Sequence, residues 1–148
     1  MTRINANIDP ADLCDQHLLA EYREIVRIPN HVLKHKINFT QIPDTFRLGT
    51  GHVKFFYNKI GFLHYRFNFL KRNLNHRGIK NNIEDDSFIK VFQQQPECYC
   101  NTNINYGNLI VVDRIIERVL LMKKVTMKGI AIDKEKYCKE LKTKYGNT

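Results

Sequence analysis

Apolar residues recur every three or four positions along most of the chain. The clearest early run covers residues 9–28. At about 100° per residue, Leu18, Leu19, Tyr22, Ile25 and Val26 fall on one side of a helix. Gln16, His17, Ala20, Arg23, Glu24 and Arg27 fall on the other. Asp9 suits an N-cap, Pro10 the first helical position, and Asp12 the positive end of the helix dipole. Pro29 disturbs the pattern, so a second stretch, 30–38, is expected to follow a kink. Prolines and glycines mark 43–51 as a loop. Phe56, Ile60, Leu63, Phe67, Leu70 and Leu74 then form a core stripe on a long helix over about 52–76, ended near Gly78. Residues 81–106 read as irregular, with a short helix around 87–92. A third clear helix is expected over about 108–124, and a lysine-rich one over 133–145, capped by Asp133. No stretch alternates like a strand. The expected fold is all-α: a compact single-domain bundle of three main helices with long loops, spanning 1–148, with a lysine-rich tail from about 130.

Composition narrows the class. The 148 residues are 43% hydrophobic, as in globular chains. No apolar run approaches the roughly 20 residues of a membrane span. The start turns polar within a few residues, so a soluble, cytoplasmic monomer is expected. A net charge of +9 calls for an anionic partner, and nucleic acid is the usual one. Cys98 and Cys100 are too close for a zinc knuckle. With Cys14 and Cys138 they are expected to be reduced thiols. Lys54, Lys59, Arg66, Lys71, Arg72, Arg77 and Lys80 add positive charge around the long helix.

Conventional catalytic motifs are missing. Gly49-Thr50-Gly51 lacks the spacing and the Lys-Ser/Thr end of a phosphate loop, and there is no G-x-S-x-G elbow. His31 and His35 lack an H-E-x-x-H context, and Asp85-Asp86 reads as a solvated pair. No metal or other cofactor is expected. The N-terminus offers more. Thr2 is small enough that an aminopeptidase is expected to remove Met1, leaving a threonine α-amine. Such an amine has a reference pKa of about 7.7–8.0 against about 10.4 for lysine, so a usable fraction is unprotonated at neutral pH. Arg3 beside it lowers that value further. A free amine can attack a carbonyl-like carbon such as C1′ of a deoxyribose. Glu24, the one carboxylate set against a basic face, could stabilise an oxocarbenium-like charge and move protons. Gln16, Arg23 and Arg27 could hold the flanking phosphates.

Three strings carry a family likeness: Thr2-Arg3-Ile4-Asn5; Asp15-Gln16-His17-Leu18-Leu19-Ala20-Glu21-Tyr22-Arg23-Glu24; and Leu48-Gly49-Thr50-Gly51-His52-Val53-Lys54-Phe55-Phe56-Tyr57-Asn58-Lys59. Together they resemble the phage-type pyrimidine-dimer DNA glycosylases, also called ultraviolet endonuclease V. The likeness is specific to about residue 80. Arg114-Ile115-Ile116-Glu117-Arg118 resembles the family's basic helix. The resemblance implies a metal-free all-α enzyme. It would cut the glycosidic bond of the 5′ base of a cyclobutane dimer and then break the strand by β-elimination. It implies Thr2 as nucleophile and Glu24 as catalytic carboxylate. Arg3, Gln16, Arg23, Arg27, Arg114 and Arg118 would grip double-stranded DNA at an ultraviolet photoproduct or abasic site, with His17 supporting them. The chain departs from the family pattern at two places. One residue is inserted before Asp15, and residues 122–129 replace a segment rich in tryptophan and tyrosine. Two other readings stay open: an abasic-site lyase without dimer specificity, and a basic DNA-binding protein without catalysis.

Overall fold

The computed structural model describes residues 2–99, 104 and 111–146. The all-α class holds: the described residues are mostly helical, with one two-stranded hairpin. None of the described helices is long and apolar enough to cross a membrane. The helices are α1 (Asp15–Ile25), α2 (Arg27–Lys34), α3 (His52–Phe55), α4 (Ile60–His76), α5 (Asp86–Gln94), α6 (Val112–Leu121) and α7 (Lys134–Tyr145). Between α6 and α7 lie strands β1 (Thr126–Met127) and β2 (Ile130–Ala131).

Several boundaries differ from the sequence pattern, each for a local reason. The first helical run is not continuous. Pro10–Asp12 makes a single 3-10 turn, capped by Asp9 through its bond from the Ala11 N–H. Leu13 and Cys14 are then extended before α1 starts. The Cys14 N–H donates to the Tyr137 hydroxyl (2.8 Å) instead of a helical carbonyl, and that hydroxyl donates to the Asp12 carbonyl (2.6 Å). A tertiary partner over 120 residues away thus overrides local helix continuity. Nor does Pro29 make the break. It lies in the first turn of α2, where a missing N–H is tolerated; the division falls at Val26.

The long helix over 52–76 is likewise two helices. Lys59 turns back over the end of α3. Its ammonium lies 4.0 Å from the Phe55 ring centroid and donates to the Phe55 carbonyl and Asn58 Oδ1, both at 2.8 Å. An ammonium on a helix C-terminal carbonyl satisfies an orphan acceptor and complements the dipole. The short helix expected over 87–92 extends to Asp86–Gln94. α6 ends at Leu121 rather than near 124, and residues 108–110 lie outside the described residues. α7 begins as expected: Asp133 Oδ1 accepts from the N–H groups of Glu135 and Lys136.

The core is the predicted stripe and its partners. Tyr22 of α1 stacks on Phe67 of α4, with ring centroids 5.3 Å apart, and Phe67 in turn meets Phe88 of α5. Tyr137, Cys138 and Leu141 bury one face of α7, which packs on α6.

The strand pair contradicts the expectation of no strand. Lys128 (φ 52°) and Gly129 (φ 80°) are its two turn residues, a geometry that matches the twist of a two-residue hairpin. The Asp15 carboxylate holds this turn. It accepts from Thr126 Oγ1 (2.6 Å), the Lys128 N–H (3.0 Å), the Gly129 N–H (2.8 Å) and Arg77 Nη1 (2.9 Å). Burial alone would raise the Asp15 pKa, but these bonds outweigh it and hold the carboxyl below its ordinary value. The hairpin is therefore fixed to the head of α1.

Candidate active site

The N-terminal arm lies across α1 and is held by its backbone. Three successive amides each donate to a side chain. Arg3 N–H reaches Glu24 Oε1 (3.0 Å), Ile4 N–H reaches His52 Nε2 (2.9 Å), and Asn5 N–H reaches Glu21 Oε1 (3.1 Å). The Ile4 side chain is fully buried. Asn5 adds a bond from Nδ2 to Glu21 Oε1 (2.9 Å) and accepts at Oδ1 from Arg114 Nη2 (3.1 Å). Beneath them Glu21 pairs with Arg66 of α4 through Nε and, at 3.1 Å, Nη2. Arg66 Nη1 also donates to the Ala6 and Ile8 carbonyls (3.3 and 3.0 Å). Glu21 and Arg66 are both buried.

Above this framework is a small cavity of about 40 Å³. Arg3 and Asn5 of the arm, His17, Ala20, Glu21 and Glu24 of α1, and Arg114, Ile115 and Arg118 of α6 line it. It has room for ordered water but is far smaller than pockets that enclose a ligand.

Five of the nine expected site residues line this cavity: Arg3, His17, Glu24, Arg114 and Arg118. Thr2 directly precedes Arg3 and is half-buried. Arg23 and Arg27 are exposed on the helical run that carries Glu24, without lining the cavity. Gln16 is tied elsewhere. Its Oε1 accepts from the Thr126 N–H (3.1 Å) and its Nε2 donates to Thr126 Oγ1 (3.2 Å), so the amide is engaged with the hairpin.

The electrostatics separate two kinds of cation. Arg66, Arg77 and Lys59 looked like part of a basic surface in the sequence. Their side chains are instead turned inward onto carboxylates, carbonyls or an aromatic ring. By contrast, Arg3, Arg23, Arg27, Arg114 and Arg118 make no ion pair among the described residues. Glu24 forms no ion pair with Arg23 or Arg27, which stand on either side of it in the sequence. None of the five has a carboxylate partner among the described residues, and Arg114 donates to Asn5 Oδ1.

Burial pushes the Glu24 pKa up, against the pull of the Arg27 charge. Burial also lowers the His17 pKa, with Glu21 opposing and Arg114 adding to the effect. The Arg114 pKa is lowered by burial and held up by Glu21 and Glu24.

The residues that the sequence reading missed are Asn5, Glu21, His52 and Arg66. Glu21 had a signal: it stands four after His17 and three before Glu24, so all three share a helix face. His52 and Arg66 had none, because nothing local distinguishes a buried polar partner from a surface one.

A sequence model of the pyrimidine dimer DNA glycosylases matches residues 1–87, more than half of the chain. The chain belongs to that family. Membership supports a role in DNA repair, as a DNA-binding glycosidase that acts on dimer-containing DNA. The matched span holds the arm, α1 and α4, hence every cavity residue except Arg114, Ile115 and Arg118. Its unpaired arginines predict a measurable electrostatic signature. Arg23→Ala and Arg27→Ala should each weaken binding to undamaged duplex. Each should also lower the slope of log affinity against log salt by about 1, as read by fluorescence anisotropy. An unchanged slope would remove that arginine from the phosphate contacts.

Proposed function

We propose that the protein acts as a glycosylase with abasic-site lyase activity, with the Thr2 α-amine as nucleophile after loss of Met1. The observation that carries this reading is the bond from the Arg3 N–H to Glu24 Oε1 at 3.0 Å, which brings the residue after Thr2 onto the carboxylate. The unpaired guanidinium groups of Arg3, Arg114 and Arg118 line the same cavity.

The amine nitrogen attacks C1′ of the 5′ nucleotide of a cyclobutane dimer. The C1′–N1 bond breaks and its electron pair leaves with the base, which stays joined to its neighbour through the cyclobutane ring. Glu24, ionised, stabilises positive charge building at C1′ and the ring oxygen. The sugar ring then opens to an imine between C1′ and the Thr2 nitrogen, with a proton delivered to the departing ring oxygen. A proton leaves C2′, the new double bond forms between C2′ and C3′, and the 3′ phosphate departs with the C3′–O electron pair. Glu24, beside the amine, is suited to carry these protons. Its raised pKa suits a group that must both take and return one. Arg3, Arg23, Arg27, Arg114 and Arg118 hold the phosphates, and His17, kept neutral by burial, supports the cavity wall.

The test is borohydride trapping on two duplexes, one with a thymine dimer and one with an abasic site. Native protein is compared with protein carrying one extra N-terminal residue, both termini verified by mass spectrometry. The native chain should form a covalent complex on both duplexes. The extension should reduce trapping at least about 100-fold, since displacing a reacting group by about 1 Å already costs that much. Undiminished trapping by the extended chain would remove the amine from the mechanism. Trapping on the abasic duplex alone would assign the lyase step without dimer recognition, a reading consistent with the altered 122–129 segment. Salt-sensitive binding with no trapping at all would leave a DNA-binding protein.

A further inference from the structure

The arm that ends in the Thr2 amine is held on one side by α1, through Glu24 and Glu21. The third hold comes from a residue 48 positions away. His52, at the start of α3, is 3% exposed, and its ring meets the edges or faces of Phe46 and Phe56. Its Nδ1 lies 2.8 Å from the Arg47 carbonyl oxygen, which can only accept. The ring proton therefore sits on Nδ1, and the Nε2 lone pair faces the Ile4 N–H. The imidazole bridges the 47–52 turn and the arm in one tautomer, as a neutral acceptor.

We propose that His52 is a positioning residue for strand cleavage, a clasp that sets the reach of the Thr2 amine toward Glu24 and that opens when Nε2 is protonated. The proposal rests on the amine chemistry given above. Protonation at Nε2 would set an N–H against the Ile4 N–H at 2.9 Å, turning a bond into a repulsion. Ile4 then loses its backbone anchor, and Arg3 and Thr2 follow it. The ionic groups that act on the ring are Arg114 on α6, which opposes protonation, and Glu21 on α1, which favours it. Burial is the larger influence and pushes the His52 pKa below that of an exposed histidine. The clasp is therefore closed at neutral pH and opens only in acid.

Two variants and one spectrum test this. In His52→Leu the Ile4 N–H has no acceptor. In His52→Gln an amide oxygen can take its place and does not titrate. Single-turnover cleavage of an abasic duplex at saturating protein should fall about 100-fold in His52→Leu, with dissociation constants within about threefold of the native value. His52→Gln should recover most of that loss at pH 7.5. Independently of activity, the amide proton resonance of Ile4 in the unmodified protein should move together with the His52 ring resonances. The midpoint of that movement should lie below the usual histidine value of about 6.5. A folded His52→Leu variant with native rate and pH profile would overturn the clasp, as would an Ile4 amide that ignores the His52 titration. Absence of any imine in the unmodified protein would instead strike the amine mechanism, and the Ile4 titration would still decide the clasp.

Discussion

Replacing Glu24 by Gln is expected to lower strand cleavage at a dimer by about 10²–10⁴-fold, the range for a lost general acid–base group, while duplex binding is kept. Gln is nearly isosteric and its Oε1 can still accept the Arg3 N–H that Glu24 now holds at 3.0 Å. The arm therefore stays in place. What disappears is the negative charge opposite the developing cation and the capacity to exchange a proton. Affinity should hold or rise slightly, because one anion is removed from a cavity lined by Arg3, Arg114 and Arg118. The same residue sets a pH expectation. Burial raises the Glu24 pKa above that of an exposed glutamate. The active, ionised form is present above that raised value and is lost as pH falls through it. Cleavage should therefore decline in acid earlier than an ordinary carboxylate would dictate, with binding less affected. Single-turnover cleavage and anisotropy titrations on the same duplex separate the two effects. Near-native cleavage by Glu24→Gln would exclude the carboxylate from the chemistry.

The helix class and most of the core stripe could be read from periodicity, because Leu63, Phe67, Leu70 and Leu74 are buried where a 3.6-residue repeat puts them. Glu24 and the arginines that flank it could be read as candidates from charge placed opposite the Leu18, Tyr22 and Ile25 side of the first helical run. Breaks in the helices could not. The Tyr137 hydroxyl interrupts the first run from over 120 residues away, and Lys59 interrupts the second by capping α3. Both override local propensity with a tertiary partner. The hairpin stayed hidden because its strands are two residues each and Asp15 of α1 supplies its hydrogen bonds. Sign of charge was also misleading. A row of Lys and Arg around α4 reads as one surface, but Arg66 and Arg77 are interior struts. The cavity arginines Arg3, Arg114 and Arg118, and Arg23 and Arg27 beside them, belong to those that form no ion pair among the described residues. Sequence shows how many cations a chain carries; only packing shows which of them are already satisfied.

Arg66→Met is accordingly expected to be the costliest substitution for stability, although it lies outside the cavity. Methionine fills much of the same volume, so the loss is electrostatic rather than a void. Glu21 would be left 2% exposed with Asn5 as its remaining partner, and the Ala6 and Ile8 carbonyls would lose their donor. Breaking one side of a buried ion pair typically costs about 3–5 kcal/mol, because the orphaned charge keeps its full desolvation penalty. At this chain length that corresponds to a melting point lower by roughly 10–15 °C. Removing both charges, in Glu21→Leu with Arg66→Met, should restore a large part of the loss. A hydrophobic pair of similar volume avoids the stranded charge, whereas two independent losses would simply add. Urea unfolding followed by circular dichroism measures Arg66→Met, Glu21→Leu and the double variant. A cost below about 1 kcal/mol for Arg66→Met would mean that the pair is far better hydrated than its burial implies. The double variant also tests how stability and chemistry are joined. It keeps the core yet removes the acceptor of the Asn5 amides, so it should fold well and cleave poorly. That outcome would assign the buried pair its second task, holding the arm in register so that the chain's first residues meet Glu24.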